Sequence, residues 1–215
     1  MTHIPDAFIP IDQGVVYWII ALVFVALALR WAKNELTEEK IPLVAVLAAG
    51  IFAIMAFNLP VTMGTSGHLL GGALAAILLG SPFAAVFILS MVLIVQGVIF
   101  GDGGLTTMGA NIINMGVIGG FVGFYSFHGL MRVTKSFNLS AFIAAWLACF
   151  IPALACALEL FIAGTFPLVP GMIAMGTYHA AIGLIEGAIT VVALHLVMNA
   201  RPDIVVTQQG APLHG

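Results

Sequence analysis

Between positions 14 and 199 the chain is a succession of long apolar runs, broken only by short clusters of charge, glycine or proline. They cover roughly 14–33, 41–58, 67–80, 83–100, 108–131, 139–163 and 171–199. About 20 apolar residues in a helix cross a ~30 Å hydrocarbon core. The strands of an outer-membrane barrel would alternate apolar with polar residues, whereas these runs are continuous. The chain is therefore predicted to be an all-α polytopic membrane protein with seven transmembrane helices, the third of them short. Composition agrees: 62% of the residues are hydrophobic and 7% charged, against roughly a quarter charged in soluble domains. No Lys or Arg precedes the first run, so it is read as a retained helix and not as a signal peptide. The predicted organisation is an N-terminal segment over 1–13, a seven-helix bundle over 14–199 and a polar tail over 200–215.

Charge sets the predicted orientation. With seven spans, the segments 30–40, 80–83, 132–138 and the tail lie on one side. All six basic residues (Arg30, Lys33, Lys40, Arg132, Lys135 and Arg201) fall there. The positive-inside rule makes that side cytoplasmic, with the N-terminus outside and the C-terminus inside. The expected location is the cell membrane. The net charge of −3 gives no footing for nucleic acid. Cys149 and Cys156 sit at helical spacing inside one apolar run and read as small buried side chains.

On this orientation His3, the TMGTSGH stretch, the GDGG stretch and Glu159 all come to the outer face. The run after TMGTSGH is too short to cross, about 14 residues or roughly 21 Å. Its outer end is expected below the membrane surface, capped by Thr65 or Ser66 and stopped by Ser81-Pro82. A short, glycine-interrupted span marks a binding site in transporters. His68 is placed in the first turn of this helix, where the dipole favours the neutral ring. Residues 3–14 reach ~35 Å at most, enough to fold over the depression, with Ile4, Phe8, Ile9 and Ile11 as the packing. Gly71 and Gly72 leave room for close backbone approach. Two outer histidines and an amine form a nitrogen-rich set suited to Ni²⁺ or Cu²⁺.

Other polar residues are less specific. Asp102, Asn111, Asn114 and Ser66 are candidates to orient the ligands; a network tying the fifth helix to the 101–107 turn is the competing reading. His179 either lines the cavity or pairs with Glu186, since an intramembrane ionisable residue is a functional candidate. His128 and His195 are read as interfacial, and His214 lies in the tail. Small-residue stripes, Ala141, Ala145, Cys149, Ala153 and Ala157 on one run and Ala45, Ala49 and Ala53 on another, suit close helix packing or docking to a partner.

The stretches HIPDAFIP, NLPVTMGTSGHLLGGALAAILLGSP and VQGVIFGDGGLTTMGANIINMG closely resemble the nickel- and cobalt-binding S components of energy-coupling factor transporters, the CbiM/NikM type. The resemblance covers essentially the whole chain. It implies a substrate-binding subunit for Ni²⁺ or Co²⁺ as transported substrate, without an ATPase of its own. The implied partners are a transmembrane coupling protein, two ABC ATPase subunits and a small accessory membrane subunit. It also implies a square-planar site of four nitrogens: the terminal amine, the amide and ring of a following histidine, and the ring in the TSGH block. The matching histidines are His3 and His68.

One departure bears on that site. The family pattern begins Met-His, and this chain begins Met-Thr-His. Removal of Met1 leaves the amine on Thr2 and restores the two-residue chelate. Retention puts the amine on Met1, and Met1-Thr2-His3 then fills all four positions without His68. The HIPD start leans toward nickel. A second reading comes from another class: Gly64-Thr65-Ser66-Gly67 fits the motif of rhomboid-type intramembrane serine proteases, with His179 as partner to Ser66. The glycines after His179 are at four and eight residues instead of three and seven, and this reading leaves His3 unexplained.

Overall fold

A computed structural model describes the backbone of residues 3–56, 59–61 and 65–201, and the side chains of 3–56 and 67–201. Among the described residues there are seven helical rods: α1 (Ile11–Glu35), α2 (Ile41–Met55), α3 (Gly72–Leu79), α4 (Pro82–Ile99), α5 (Met108–Thr134), α6 (Phe137–Ile162) and α7 (Leu168–Ala200). Two three-residue strands, β1 (Leu59–Val61) and β2 (Thr65–Gly67), pair antiparallel between α2 and α3, with Leu59 opposite Gly67 and Val61 opposite Thr65. Five rods, α1 and α4 to α7, are long and apolar enough to cross a membrane.

The bundle is built around its shortest member. All eight residues of α3 are buried, and it packs against α4, α5, α6 and α7. Ala73, Ala75 and Ala76 let the neighbours approach closely, which is how helices associate where lipid removes the hydrophobic drive between them. The outermost rod is α1, which keeps Gly14, Ala21 and Ala28 inside and turns residues such as Ile19, Leu22 and Val23 outward. So much exposed aliphatic surface would aggregate in water; around a membrane bundle it is the lipid-facing coat.

Three local features shape the bundle. Ser81 caps α4 by accepting from the Phe83 N–H at 3.2 Å, with Pro82 at the first helical position. Residues Ile112–Ile118 of α5 are wound as a π-helix, a form that concentrates at functional sites. On α6 the stripe Ala141, Ala145, Cys149, Ala153 and Ala157 is wholly buried, while Ala45, Ala49 and Ala53 of α2 face outward. Both cysteines are buried, and neither is in a disulfide.

Two expectations about the third span are corrected. The helix has 8 residues, not about 14, because it begins only at Gly72. Thr65 and Ser66 lie in β2 and do not cap it; the cap position is Gly71, which lends no side-chain hydrogen bond. His68 consequently precedes the helix in an irregular segment, so the argument from the first-turn dipole does not apply to it. The first rod starts at Ile11 instead of 14. Of the anticipated tail, 202–215 lies outside the described residues.

Candidate metal centre

The N-terminal segment is fastened to the 101–107 loop and the first turn of α5 through the backbone groups of Ile4 and the side chain of Asp6. The Ile4 N–H donates to Asn111 Oδ1 at 2.8 Å. The Ile4 carbonyl accepts from Gly104 N at 3.0 Å, Thr107 Oγ1 at 2.5 Å and Asn111 Nδ2 at 3.2 Å. The Ile4 side chain is fully buried, and with Ile9 it packs among Ala110, Ala153, Cys156 and Met175. Two residues later Asp6 accepts from both the N–H and hydroxyl of Thr106, at 2.8 and 2.5 Å. These bonds, led by that from the Thr106 hydroxyl, hold the Asp6 carboxyl below its ordinary range. Of the four apolar residues expected to pack this segment, Ile4 and Ile9 do so, whereas Ile11 is 75% exposed and Phe8 37%.

The GDGG loop is shaped to receive the segment. Gly101 and Gly103 have φ of +65° and +96°, conformations that glycine alone adopts without strain. A Cβ on Gly104 would overlap the Asp6 backbone nitrogen and stand 2.5 Å from its carboxyl oxygen, so only glycine admits the chain there.

This docking delivers His3 to His68. The ring centroids lie 4.4 Å apart with planes at 72°, and the residues are 4% and 0% exposed. His68 Nδ1 is 2.9 Å from the Leu69 carbonyl. A carbonyl only accepts, so that nitrogen carries the proton and the lone pair is on Nε2. His3 Nδ1 is 3.1 Å from Asp102 Oδ1, out of line for a hydrogen bond, and neither His3 ring nitrogen has a hydrogen-bond partner among the described residues. The His3 contact is also what holds the Asp102 carboxyl below its ordinary range. A buried imidazole beside a carboxylate is a pairing in which the carboxylate can orient the ring.

The remaining candidates are distributed as follows. Asn111 grips the peptide that follows His3. Asn114 is turned elsewhere: its Nδ2 donates to Glu159 Oε2 at 2.6 Å, while Gln13 Nε2 donates to the Glu159 carbonyl at 3.1 Å. Met1, Thr2 and the Ser66 side chain lie outside the described residues. His179 does not pair with Glu186: its Nδ1 donates to the Met175 carbonyl at 2.8 Å, and Nε2 and Cε1 lie against Gly67. Glu186 instead accepts from the N–H groups of Leu70 at 2.8 Å and Gly71 at 2.7 Å. Sequence reasoning missed this contact, although a lone carboxylate in the middle of an apolar run was its signal. Among the described residues no group of three or more His, Cys, Asp or Glu side chains is arranged to hold a metal.

Residues 3–204 match the model of the CbiM family, the cobalt uptake substrate-specific transmembrane region. This chain belongs to that family. It is 40% identical over 96% of its length to a metal transport protein, so named, of Haloquadratum walsbyi, covering 94% of that protein. To a protein of Archaeoglobus fulgidus named as a fused nickel transport protein it is 37% identical, over 98% of this chain and 70% of that one. The fold superposes on the crystal structure of a truncated transition-metal transporter with TM-score 0.86 and 29% identity, covering 92% of this chain and 99% of the other. This CbiM-family chain is thus a multi-pass membrane component of cobalt and nickel uptake. A protease built on Ser66 and His179 finds no support among these relatives.

Proposed function

We propose that this CbiM-family chain is the S component of an energy-coupling factor transporter and captures Ni²⁺ or Co²⁺ at the outer face of the cell membrane. The observation that carries this reading is the meeting of two buried imidazoles, His3 and His68, brought together by a docked N-terminal segment. Their rings supply two nitrogens. The His3 amide and the Thr2 amine, freed once Met1 is removed, complete a four-nitrogen set; a retained Met1 would instead fill all four positions from Met1-Thr2-His3 without His68. Such a set suits a borderline-soft divalent ion that accepts tetragonal geometry. Asp102 orients the His3 ring, and Asn111 holds the peptide that follows it.

Capture proceeds without covalent chemistry. The ion displaces protons from amine, amide and imidazole, so affinity falls as the medium is acidified. Closing the segment over the ion makes an occluded carrier. Inward release then requires work from partners: a transmembrane coupling protein, two ABC ATPases and a small accessory membrane subunit. All six basic residues lie toward the side assigned to the cytoplasm, where the ATPases would act.

The test is titration of the purified chain with Ni²⁺ and Co²⁺, alongside mass analysis of its N-terminus. The reading expects one ion per chain, a terminus at Thr2, and loss of tight binding in His68→Ala. Tight binding that survives His68→Ala overturns the two-histidine site.

A further inference from the structure

Gly71 caps α3 and brings no side chain of its own to the first amides. Helix starts leave N–H groups that need partners, and inside a membrane bundle water does not supply them. Here the partner comes from another helix. Glu186, in the middle of α7 and 3% exposed, accepts from Leu70 N on one carboxyl oxygen and from Gly71 N on the other. The bond lengths, 2.8 and 2.7 Å, leave little play in the two peptides that follow Leu69 and Leu70, the next along the chain from His68.

The rest of the segment is equally constrained. Gly71 has φ of +72°, and a Cβ there would stand 2.6 Å from Ile51 Cγ1 of α2, so the turn is closed on its other side by packing. Gly67 rests on the His179 ring. The His68 segment is thus pinned to α7 at both ends, and Glu186 supplies its polar fastening. A cleft of about 220 Å³ between α2 and α7 runs up to this carboxyl, lined by Ile51, Gly71, Leu74 and Thr190 among others.

We propose that Glu186 is the positioning residue of the metal site: by gripping the Leu70 and Gly71 amides it sets where the His68 ring stands, without touching the ion. This rests on the two-histidine capture reading. Replacing the carboxyl by a carboxamide turns one acceptor into a donor facing an N–H, so Glu186→Gln breaks half of the fastening with almost no change in volume.

The test is a double-mutant cycle on the purified chain, read by Ni²⁺ affinity and by the absorption spectrum of bound nickel. Glu186→Gln is expected to weaken binding about tenfold, the scale of groups that orient ligands, and to shift the spectrum. In a His68→Ala background it is expected to change neither, because the ring it positions is gone. Glu186→Asp keeps both acceptors on a shorter arm and is expected to fall between. If Glu186→Gln does not give a monodisperse, helical protein, Glu186→Asp carries the same comparison in both backgrounds. Equal weakening with and without His68, or no weakening in the parent, overturns the proposal. If His68→Ala alone leaves nickel affinity unchanged, the capture reading has failed first, and the cycle identifies that separately.

Discussion

His3 and His68 are separated by 65 positions of sequence, yet their rings meet edge to face at 4.4 Å with neither exposed to solvent. Two buried imidazoles gain little from each other, and taking polar rings out of solvent opposes folding. The arrangement is intelligible if an ion repays that cost when it binds.

The first prediction concerns that pair. His3→Ala and His68→Ala should each lower Ni²⁺ affinity by well over about tenfold, the loss that even ligand-orienting residues cause. Isothermal titration and thermal unfolding with and without Ni²⁺ check this; the metal-induced rise in melting temperature should shrink in both variants.

Asn111 and Asn114 are three residues apart on α5 and should behave differently. Asn111→Ala strips both bonds to Ile4 and leaves a buried N–H unpaired, a penalty of about 1–3 kcal/mol that falls on docking of the segment bearing His3. Weaker nickel binding and faster amide exchange over residues 4–9 are expected. Asn114→Ala removes the bond to Glu159 and should lower thermal stability while leaving nickel affinity within about twofold, since additivity holds between groups that share no partners.

Much of this was legible in the sequence. The uninterrupted apolar runs located seven rods, and TSGH, GDGG and the early His3 named the segments that converge. What was not legible came from tertiary context. The start of α3 was misplaced because Thr65 and Ser66 are good caps by residue type, yet both are drawn into a strand pair with 59–61, and strand pairing outranks a local capping preference. His179 and Glu186 lie on one helix and invited pairing. Glu186 instead serves the amides of a distant turn, which no periodicity on α7 reveals. Ile11 was assigned to the lid from hydrophobicity alone, but it opens α1 and faces outward, where an apolar side chain is at home beside lipid.

Gly104→Ala should act on the site without touching it. The added methyl overlaps the Asp6 backbone nitrogen, and overpacking of this kind costs about 1–3 kcal/mol. The segment has to lift, carrying His3 from His68. Nickel affinity should fall by roughly tenfold or more, in keeping with that energy. Gly101→Ala, with open space around it but a positive φ, should show a milder effect from backbone strain alone. Comparing the two variants by titration separates collision from strain.

The last prediction is a pH dependence of the lid. The Thr106 hydroxyl and amide hold the Asp6 carboxyl below its ordinary value of 3.8. Because the docked form titrates lower than the undocked one, the contribution of this contact is present above the ordinary value and is lost as pH falls through the docked value. The 3–9 segment should therefore stay closed at neutral pH and loosen below about pH 4, which amide exchange resolved over residues 4–9 of the metal-free protein would show. Asp6→Asn keeps an oxygen to accept from Thr106 and removes the titration. In that variant the acid step should disappear, with docking at neutral pH somewhat weaker than in the parent because a carboxylate accepts more strongly than an amide. Thr106→Val, which removes the hydroxyl and keeps the amide, should move the step toward the ordinary carboxyl value without abolishing it. An acid step that persists unchanged in Asp6→Asn would assign the loosening to another group.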